Sequence, residues 1–575
     1  MIRSGLSVAA LLAFSGGALG GTPNISVVAV AGQQAPGLPT GVIYITGTGS
    51  QQSKPPRLNN AGQVAFFSSL SGSGIGASNN TAIFSSAPGS VQLLAREGSP
   101  SPGSLRTFTT FREIVLNASG NVAFPAITNG GSGYFLGSPG NLEKVIENGD
   151  PITGEPGLTM TSAGIYSSLS DGNHVAGDFR GPGSINCILQ GGSSFPVGAV
   201  MVGGAQAPGL DPGVQYDSFN SFSRSPAINM FGTTVFESEL QGAGVSSFND
   251  ESLWYGTPGQ VSALARRGDQ APGLAAGIFY GDPQWWTVDS TGTVTFVMGL
   301  QGAGTTPFND GAIYLGPPAN PQLVLREGSG MDGGFPAGAT YIQFPVAMQN
   351  SSGTFAMEGW AAINAGLGIG SGNNEAIYIG TPTDRRFLIR EGVQAPGMPT
   401  GVAAFGFNQL FLNQRGQLFF TSLLTGPGIT STTQQMMWLA GPNGSIIPAY
   451  QSGGTIEVAP GDVRTVSSFR VVGDNDGQIS SNGEDGRATC FNNEAQVAFQ
   501  AYFVEGGWAM CVIDLELPVE CAADIDGSGA VDFGDLDAVL GAWGTADPMA
   551  DIDGSGLVDF PDLNTLLAGW EGVCE

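Results

Sequence analysis

Between residues 22 and 516 the apolar positions come in short runs cut by Gly, Pro and Asn, and no helical period is sustained. Val64-Ala65-Phe66 and Val122-Ala123-Phe124 are typical, and each run predicts a strand. A fixed step precedes them: a polar residue, two spacers, Gly, one or two spacers, then the strand. Asn bonds its own backbone and Gly tolerates positive φ, so this step predicts a hairpin turn. It occurs at Asn59/Gly62, Asn117/Gly120, Asn229/Gly232, Asp289/Gly292, Asn350/Gly353 and Asn413/Gly416. Two copies are degraded: Leu169 stands in the polar position before Gly172, and Ala495 replaces Gly after Asn492. The copies are spaced by 58, 52, 60, 60, 61, 63 and 79 residues, the signature of one repeated supersecondary unit.

Each unit opens with an apolar run ending in Arg-Glu-Gly, as at Arg96–Gly98, Arg326–Gly328 and Arg390–Gly392. A Gln-Ala-Pro-Gly turn follows or replaces it, as at Gln206–Gly209, Gln270–Gly273 and Gln394–Gly397. An aromatic-rich stretch, the turn and its strand, and a closing strand such as Ala312–Gly316 complete about four strands. Eight such units over residues 22–516 predict an all-β fold, a β-propeller of eight four-stranded blades. A seven-bladed ring with an extra element and a β-solenoid are the alternatives, but solenoid coils are shorter. Residues 25–515 resemble the secreted bacterial tandem-repeat proteins named for their Asn-x-x-Gly-x-x-Ala-Phe motif. That resemblance carries no chemistry, but such proteins end in interchangeable anchoring modules.

The pattern changes after residue 517. Leu536, Val539, Leu540 and Trp543 fall on one predicted helical face, and Leu563, Leu566, Leu567 and Trp570 repeat it. Before each face lies an acidic loop, Asp524–Asp535 and Asp551–Asp562. Both loops place oxygen donors at positions 1, 3, 5, 9 and 12, with Gly at 6 and Val at 8. This is the calcium-loop arrangement of hard oxygens around a sharp turn. The predicted ligands are Asp524, Asp526, Ser528, Asp532 and Asp535, then Asp551, Asp553, Ser555, Asp559 and Asp562, with the carbonyls of Ala530 and Leu557. They would hold two Ca²⁺ ions. From residue 521 onward there are 12 acidic and no basic residues, a density that repels itself without cations.

Residues 517–575 resemble a dockerin, a small all-α domain with two EF-hand-like loops that plugs into cohesins, and most closely the variant ending in Gly-x-Cys, here Gly572–Cys574. The resemblance implies a cohesin-like protein or cell-surface scaffold as partner. Ser at position 5 should weaken calcium binding. Phe533-Gly534 and Phe560-Pro561 stand where familiar dockerins often carry Ser-Thr, so the partner is expected to be unusual, or the tail to be another kind of surface anchor.

Composition narrows the function. The 575 residues hold 19 basic and 47 acidic side chains, a net charge of −28, which disfavours nucleic acid. His174 is the one histidine, which excludes His-rich metal sites and two-histidine mechanisms. Residues 1–20 carry Arg3, an apolar Leu6–Phe14 stretch and Ala18-Leu19-Gly20, a secretory signal peptide too short to span a membrane. The expected location is extracellular, free or attached to the cell surface, where cysteines can pair; Cys490–Cys511 and Cys521–Cys574 are favoured, leaving Cys187 as a buried thiol.

Weaker signals have bland readings. Arg267-Gly268-Asp269 falls on a repeat turn. Residues 474–485 resemble a third calcium loop but put Ile479 where Gly is needed, so they read as a polar hairpin loop. Phe248-Asn249-Asp250 and Phe308-Asn309-Asp310 read as Asx turns, and Trp285-Trp286 as core unless exposed for sugar stacking. Glu237, Glu239 and Asp282 could supply a glycosidase pair, but no catalytic residue breaks the repeat pattern clearly enough to be assigned. Three readings result: a non-catalytic propeller that binds or scaffolds extracellular material, a tail-delivered polysaccharide hydrolase, and a surface-layer or adhesion component.

Overall fold

The computed structural model describes residues 24–47, 53–87, 90–192, 194–219, 224–473 and 480–515; in the tail it describes 523, 525, 531–545, 547, 550, 552, 557–568 and 570. Residues 24–515 and the tail form two separate compact units.

The larger unit is an eight-bladed β-propeller, each blade an antiparallel sheet. In blade 5 the strands run in sequence order outward from the axis: Ile278–Val288, Val294–Gly302, Gly311–Gly316 and Gln322–Arg326. Blades 3, 6 and 7 match it. The inner strands of blades 1, 2 and 4 are broken in two, as at Ile43–Tyr44 and Ser53–Leu58 in blade 1, both pairing with Val64–Ser71. Blade 8 has five strands: Thr455–Ala459 pairs with Asp462–Arg470, and Gln496–Phe503 and Trp508–Asp514 follow in order. The outermost is Asn24–Val30, from the other end of the chain, in register Asn24↔Asp514 to Val30↔Ala509. The ring therefore closes by strand pairing, which also covers an edge that would otherwise be open.

The sequence unit and the blade are out of phase. The run ending in Arg-Glu-Gly opens the sequence unit but forms the outermost strand of the preceding blade, as Gln322–Arg326 pairs with Gly311–Gly316. Both faces of a blade are covered by neighbouring blades, so Val64–Leu70 is buried throughout and the strands read as continuous apolar runs. The aromatic of the Ala-Phe step stacks on an aromatic of the next strand: Phe66 on Phe84 at 5.5 Å, Phe124 on Phe135 at 5.7 Å, and Phe296 on Tyr314 at 5.4 Å. Such pairs contribute about 0.5–1.5 kcal/mol beyond area burial.

The repeat motifs are staples. Gln34, Gln206, Gln270 and Gln394 each donate Nε2 to carbonyls of their own loop and accept the amide seven residues on, as Gly41 N–H to Gln34 Oε1 at 2.8 Å. Arg96, Arg266, Arg326 and Arg390 donate Nε to the carbonyls of Asn79, Asn249, Asn309 and Asn373. Those four asparagines each accept through Oδ1 the amide three residues back, of Gly76, Ser246, Thr306 and Gly370, in place of the expected Asx-turn bond to the amide two residues on.

Two further expectations are corrected. In blade 3 the turn runs from Ser170 to Asn173, not from Leu169 to Gly172: the Asn173 amide bonds Ser170 O, and Asn173 takes φ 62°. Ser170 holds the Asn position and Asn173 the Gly position. In blade 8, Ala495 fills the Gly position at φ 54°. Cys490 and Cys511 are both buried and are not joined in a disulfide. Cys490 lies along one edge of Gln496–Phe503, giving its carbonyl to Ala498, whereas Cys511 pairs with Phe499 across the other edge. Two interstrand steps, about 9–10 Å, exceed the ~7 Å Cα reach of a disulfide. Cys187 is buried as expected, its thiol pushed up to about 12 by burial. The signal peptide, Cys521 and Cys574 lie outside the described residues.

Candidate functional site

The Asn-x-x-Gly turns line one mouth of the propeller channel. Each turn asparagine uses Oδ1 to accept the amide four residues on, closing its own turn. Its Nδ2 reaches the next blade: Asn59 to Asn117 O at 2.9 Å, Asn117 to Ser170 O at 3.1 Å, and Asn229 to Asp289 O at 3.2 Å. Asn350 to Asn413 O at 2.6 Å, Asn413 to Asn492 O at 2.9 Å and Asn492 to Asn59 O at 3.1 Å complete the circuit. Ser170 and Asp289 interrupt it, because neither side chain carries an amide to donate.

A segment of blade 8, residues 480–491, fills the channel behind these turns. This insertion stretches the last repeat spacing to 79 residues. Residues 474–485 were expected to form a polar hairpin loop; 480–485 of them are described, and from Ser480 to Phe491 every residue is buried except the half-buried Gly483, Gly486 and Thr489, with Asn482 and Asp485 fully buried. The inner strands bond it directly: Leu58 N to Thr489 O, Leu169 N to Gly486 O, Ile228 N to Asp485 O and Leu412 N to Ser481 O. Glu484 bridges blades 5 and 6, accepting from the amides of Ser290 and Ser351 at 3.4 and 2.8 Å. Asn482 donates to Val288 O and Gln349 O in the same two blades. Arg487 donates to Trp286 O at 2.6 Å and Ser225 O at 3.2 Å, and pairs with Asp485 at 3.3 Å. Burial raises the Asp485 carboxyl and lowers the Arg487 guanidinium, and their pairing and the donations of Ser481 Oγ and the Arg487 amide to the carboxylate offset part of that. Asn482 and Asp485, counted among the donors of a third calcium loop, thus have their oxygens committed to protein donors; Asp474, Asp476 and Gln478 lie outside the described residues.

A second cluster breaks the repeat between blades 4 and 5. Where blades 1, 5 and 6 carry the buried Glu97, Glu327 and Glu391, blade 4 carries Arg267. Its Nη1 faces Asp282 at 2.8 Å, Asp250 at 3.5 Å and Glu251 at 3.8 Å. Burial, then Asp282, pushes the Glu251 carboxyl up to about 7. Glu239 is also raised, by burial, then Asp217, Asp250 and Glu237. The pairing of Asp282 with Glu251 through Arg267 was not legible in the sequence, because Glu251 sits inside the expected Asx-turn pattern. Arg267-Gly268-Asp269 is a strand-end turn, as expected. Trp285 and Trp286 are 1% and 0% exposed, so they are core and form no stacking platform. His174 stacks on Phe195 at 4.2 Å, and burial lowers its pKa.

In the tail, two helices, Phe533–Gly541 and Phe560–Ala568, follow the acidic loops. Asp535 and Asp562 are fully buried. Asp535 accepts the amides of Ile525 at 2.5 Å and Asp532 at 2.9 Å, while Asp532 caps the helix through the Gly534 amide. The second loop repeats this, with the Asp559 amide on Asp562 at 2.8 Å. Asp559 Oδ1 is buried without a hydrogen-bond partner. Val531 and Val558, at position 8 of each loop, are fully buried in one core with Val539 and Leu566. The expected helix faces are narrower than predicted: Leu540 and Leu567 are 52% and 50% exposed and Trp543 is 38% exposed, because one step past Val539 or Leu566 turns the side chain out. Leu557 is exposed. Asp524, Asp526, Ser528, Ala530, Asp551, Asp553 and Ser555 lie outside the described residues. Among those described, no helix is long and apolar enough to cross a membrane.

Solved structures similar to the chain include the β-propeller domain of the trilobed protease from Pyrococcus furiosus. It is 9% identical, with TM-score 0.34, over 70% of this chain and 97% of that one. The Dos1 propeller is 10% identical, with TM-score 0.37, over 80% and 93%. An acylaminoacyl peptidase from Pyrococcus horikoshii is 10% identical, with TM-score 0.33, over 70% of this chain and 52% of the peptidase, so the chain spans about half of that protein. At these identities and scores the likenesses carry no functional argument. No curated protein matches the chain. Residues 15–379 and 285–518 match DUF7453, a family of unknown function, and the chain belongs to that family.

Proposed function

We propose that the protein is a secreted, non-catalytic propeller that binds or scaffolds extracellular material and is held in place by calcium-dependent docking of its tail to a cohesin-type partner. The observation that carries this reading is the Asp559 carboxylate. A buried carboxylate oxygen without a partner costs free energy that a cation would recover. It sits in a loop whose remaining donors have hard-oxygen chemistry, which fits Ca²⁺. The matching helix starts give the reading its symmetry. Phe533 and Leu540 on one helix are exposed, and so are Phe560 and Leu567 on the other. Trp570 meets Phe533 edge-on at 5.1 Å, and Trp543 meets Phe560 at 5.2 Å. Two equivalent apolar strips would let a partner dock in either of two orientations. Calorimetric titration of the full chain with Ca²⁺ should give two ions per chain, and one in Asp562→Ala. Any other stoichiometry removes the basis of the reading.

The second reading, a polysaccharide hydrolase delivered by the same tail, has one observation in its favour. Glu251, pushed up to about 7, is suited to donate a proton near neutral pH beside the half-exposed Asp282. Reducing-end release from a polysaccharide panel, abolished by Glu251→Gln, would install this reading. No release from any substrate would leave the binding reading in front.

A further inference from the structure

The channel keeps a small cavity on the side of the inserted segment away from the turns. Its wall is made by Glu113, Ser167, Arg224, Ser225, Trp285 and Arg487. Apart from Arg487, which belongs to the inserted segment, these residues stand three to five positions before their turn residues, about 10–16 Å up the channel. The cavity volume is about 10 Å³, room for one water-sized body.

Its wall is rich in donors. The guanidiniums of Arg224 and Arg487 lie 5.2 and 5.0 Å from the centre of the Trp285 ring. Ser167 Oγ and Trp285 Nε1 are buried without a hydrogen-bond partner, in side chains 2% and 1% exposed. Each such group costs free energy if it stays unmet. Glu113 is the acid on the wall, and its carboxylate is paired with the fully buried Arg57 at 3.4 Å. Arg57 also gives Nε to Ile114 O at 3.0 Å.

A tetrahedral oxyanion does not fit a space of this size. A water would have to place its own two hydrogens against a wall dominated by donors and cations. A single-atom anion accepts from every donor and has no hydrogens to place. We propose that this cavity is a halide site, filled by chloride, which satisfies Ser167 and Trp285 beside the Arg224 guanidinium and the Asp485-paired Arg487. It would fasten the inserted segment, through Arg487, to the inner strands of blades 3, 4 and 5.

The test is thermal unfolding of the full chain at constant ionic strength, with gluconate replaced stepwise by chloride. Binding to the folded state alone predicts that each tenfold rise in chloride above its dissociation constant lowers the unfolding constant about tenfold. Ser167→Ala removes a donor that has no protein partner, so it should keep the gluconate midpoint and lose most of the chloride response. A response equal in the variant would assign the effect to bulk salt and overturn the proposal, as would a midpoint independent of chloride. Crystals grown in bromide should show an anomalous peak between Arg224 and Arg487; water there, and no peak, would also overturn it.

Discussion

The ring of turns and the segment it surrounds hold the propeller together in opposite ways. Six turn asparagines each make the same bond to the next blade. Residues 480–491 occur once, and their contacts reach blades 1, 3, 4, 5, 6 and 7. Two of those contacts stand where the ring itself fails: Gly486 accepts the Leu169 amide beside Ser170, and Glu484 takes Ser290 beside Asp289. Repetition distributes stability in small equal shares. An unrepeated segment can concentrate it where the repeat lacks the right atom.

The largest expected effect tests that contrast. Arg487→Met removes three bonds and strands a buried Asp485, and should cost about 3–5 kcal/mol. Asn117→Ala, which removes one ring member, should cost about 1–2 kcal/mol. Urea unfolding measures both, and equal costs would mean that the segment is filler. A second effect depends on pH. Burial pushes Glu327 and Glu358 up to about 8, so the folded chain keeps protons that the unfolded chain has released above about 4.5. Their contribution to stability is therefore full below that pH and lost as pH rises toward 8. Glu358→Gln should flatten the fall and leave a higher urea midpoint at pH 8 than the unaltered protein; an unchanged slope between pH 5 and 8 would refute this. The smallest effect lies within the ring. Ala495→Gly relieves a positive φ of 54° and should stabilise by about 0.5–1 kcal/mol, read as a rise in melting temperature.

Much of the candidate chemistry was legible for a local reason. The Asn-x-x-Gly and Gln-Ala-Pro-Gly motifs close hydrogen bonds within a few residues of themselves, so their spacing states their geometry. The Glu251–Asp282 pair was not legible, because Arg267 joins residues of two blades. The tail loops were legible as donor spacing, whereas the narrower helix faces depended on how two short helices share one small core.

By itself, then, the sequence determined the strand-and-turn unit, its eightfold recurrence and the change to paired helices in the tail, since these rest on contacts between near neighbours. Only the tertiary structure decided that the blade is out of phase with the repeat, that Asn24–Val30 closes the ring, that Cys490 and Cys511 stay apart, and that a polar, glycine-rich insertion is buried. Each of these depends on partners far along the chain: Glu484 meets Ser351 across 133 residues and Ser290 across 194. A polar segment can be buried only where such distant strands supply a partner for every group it carries.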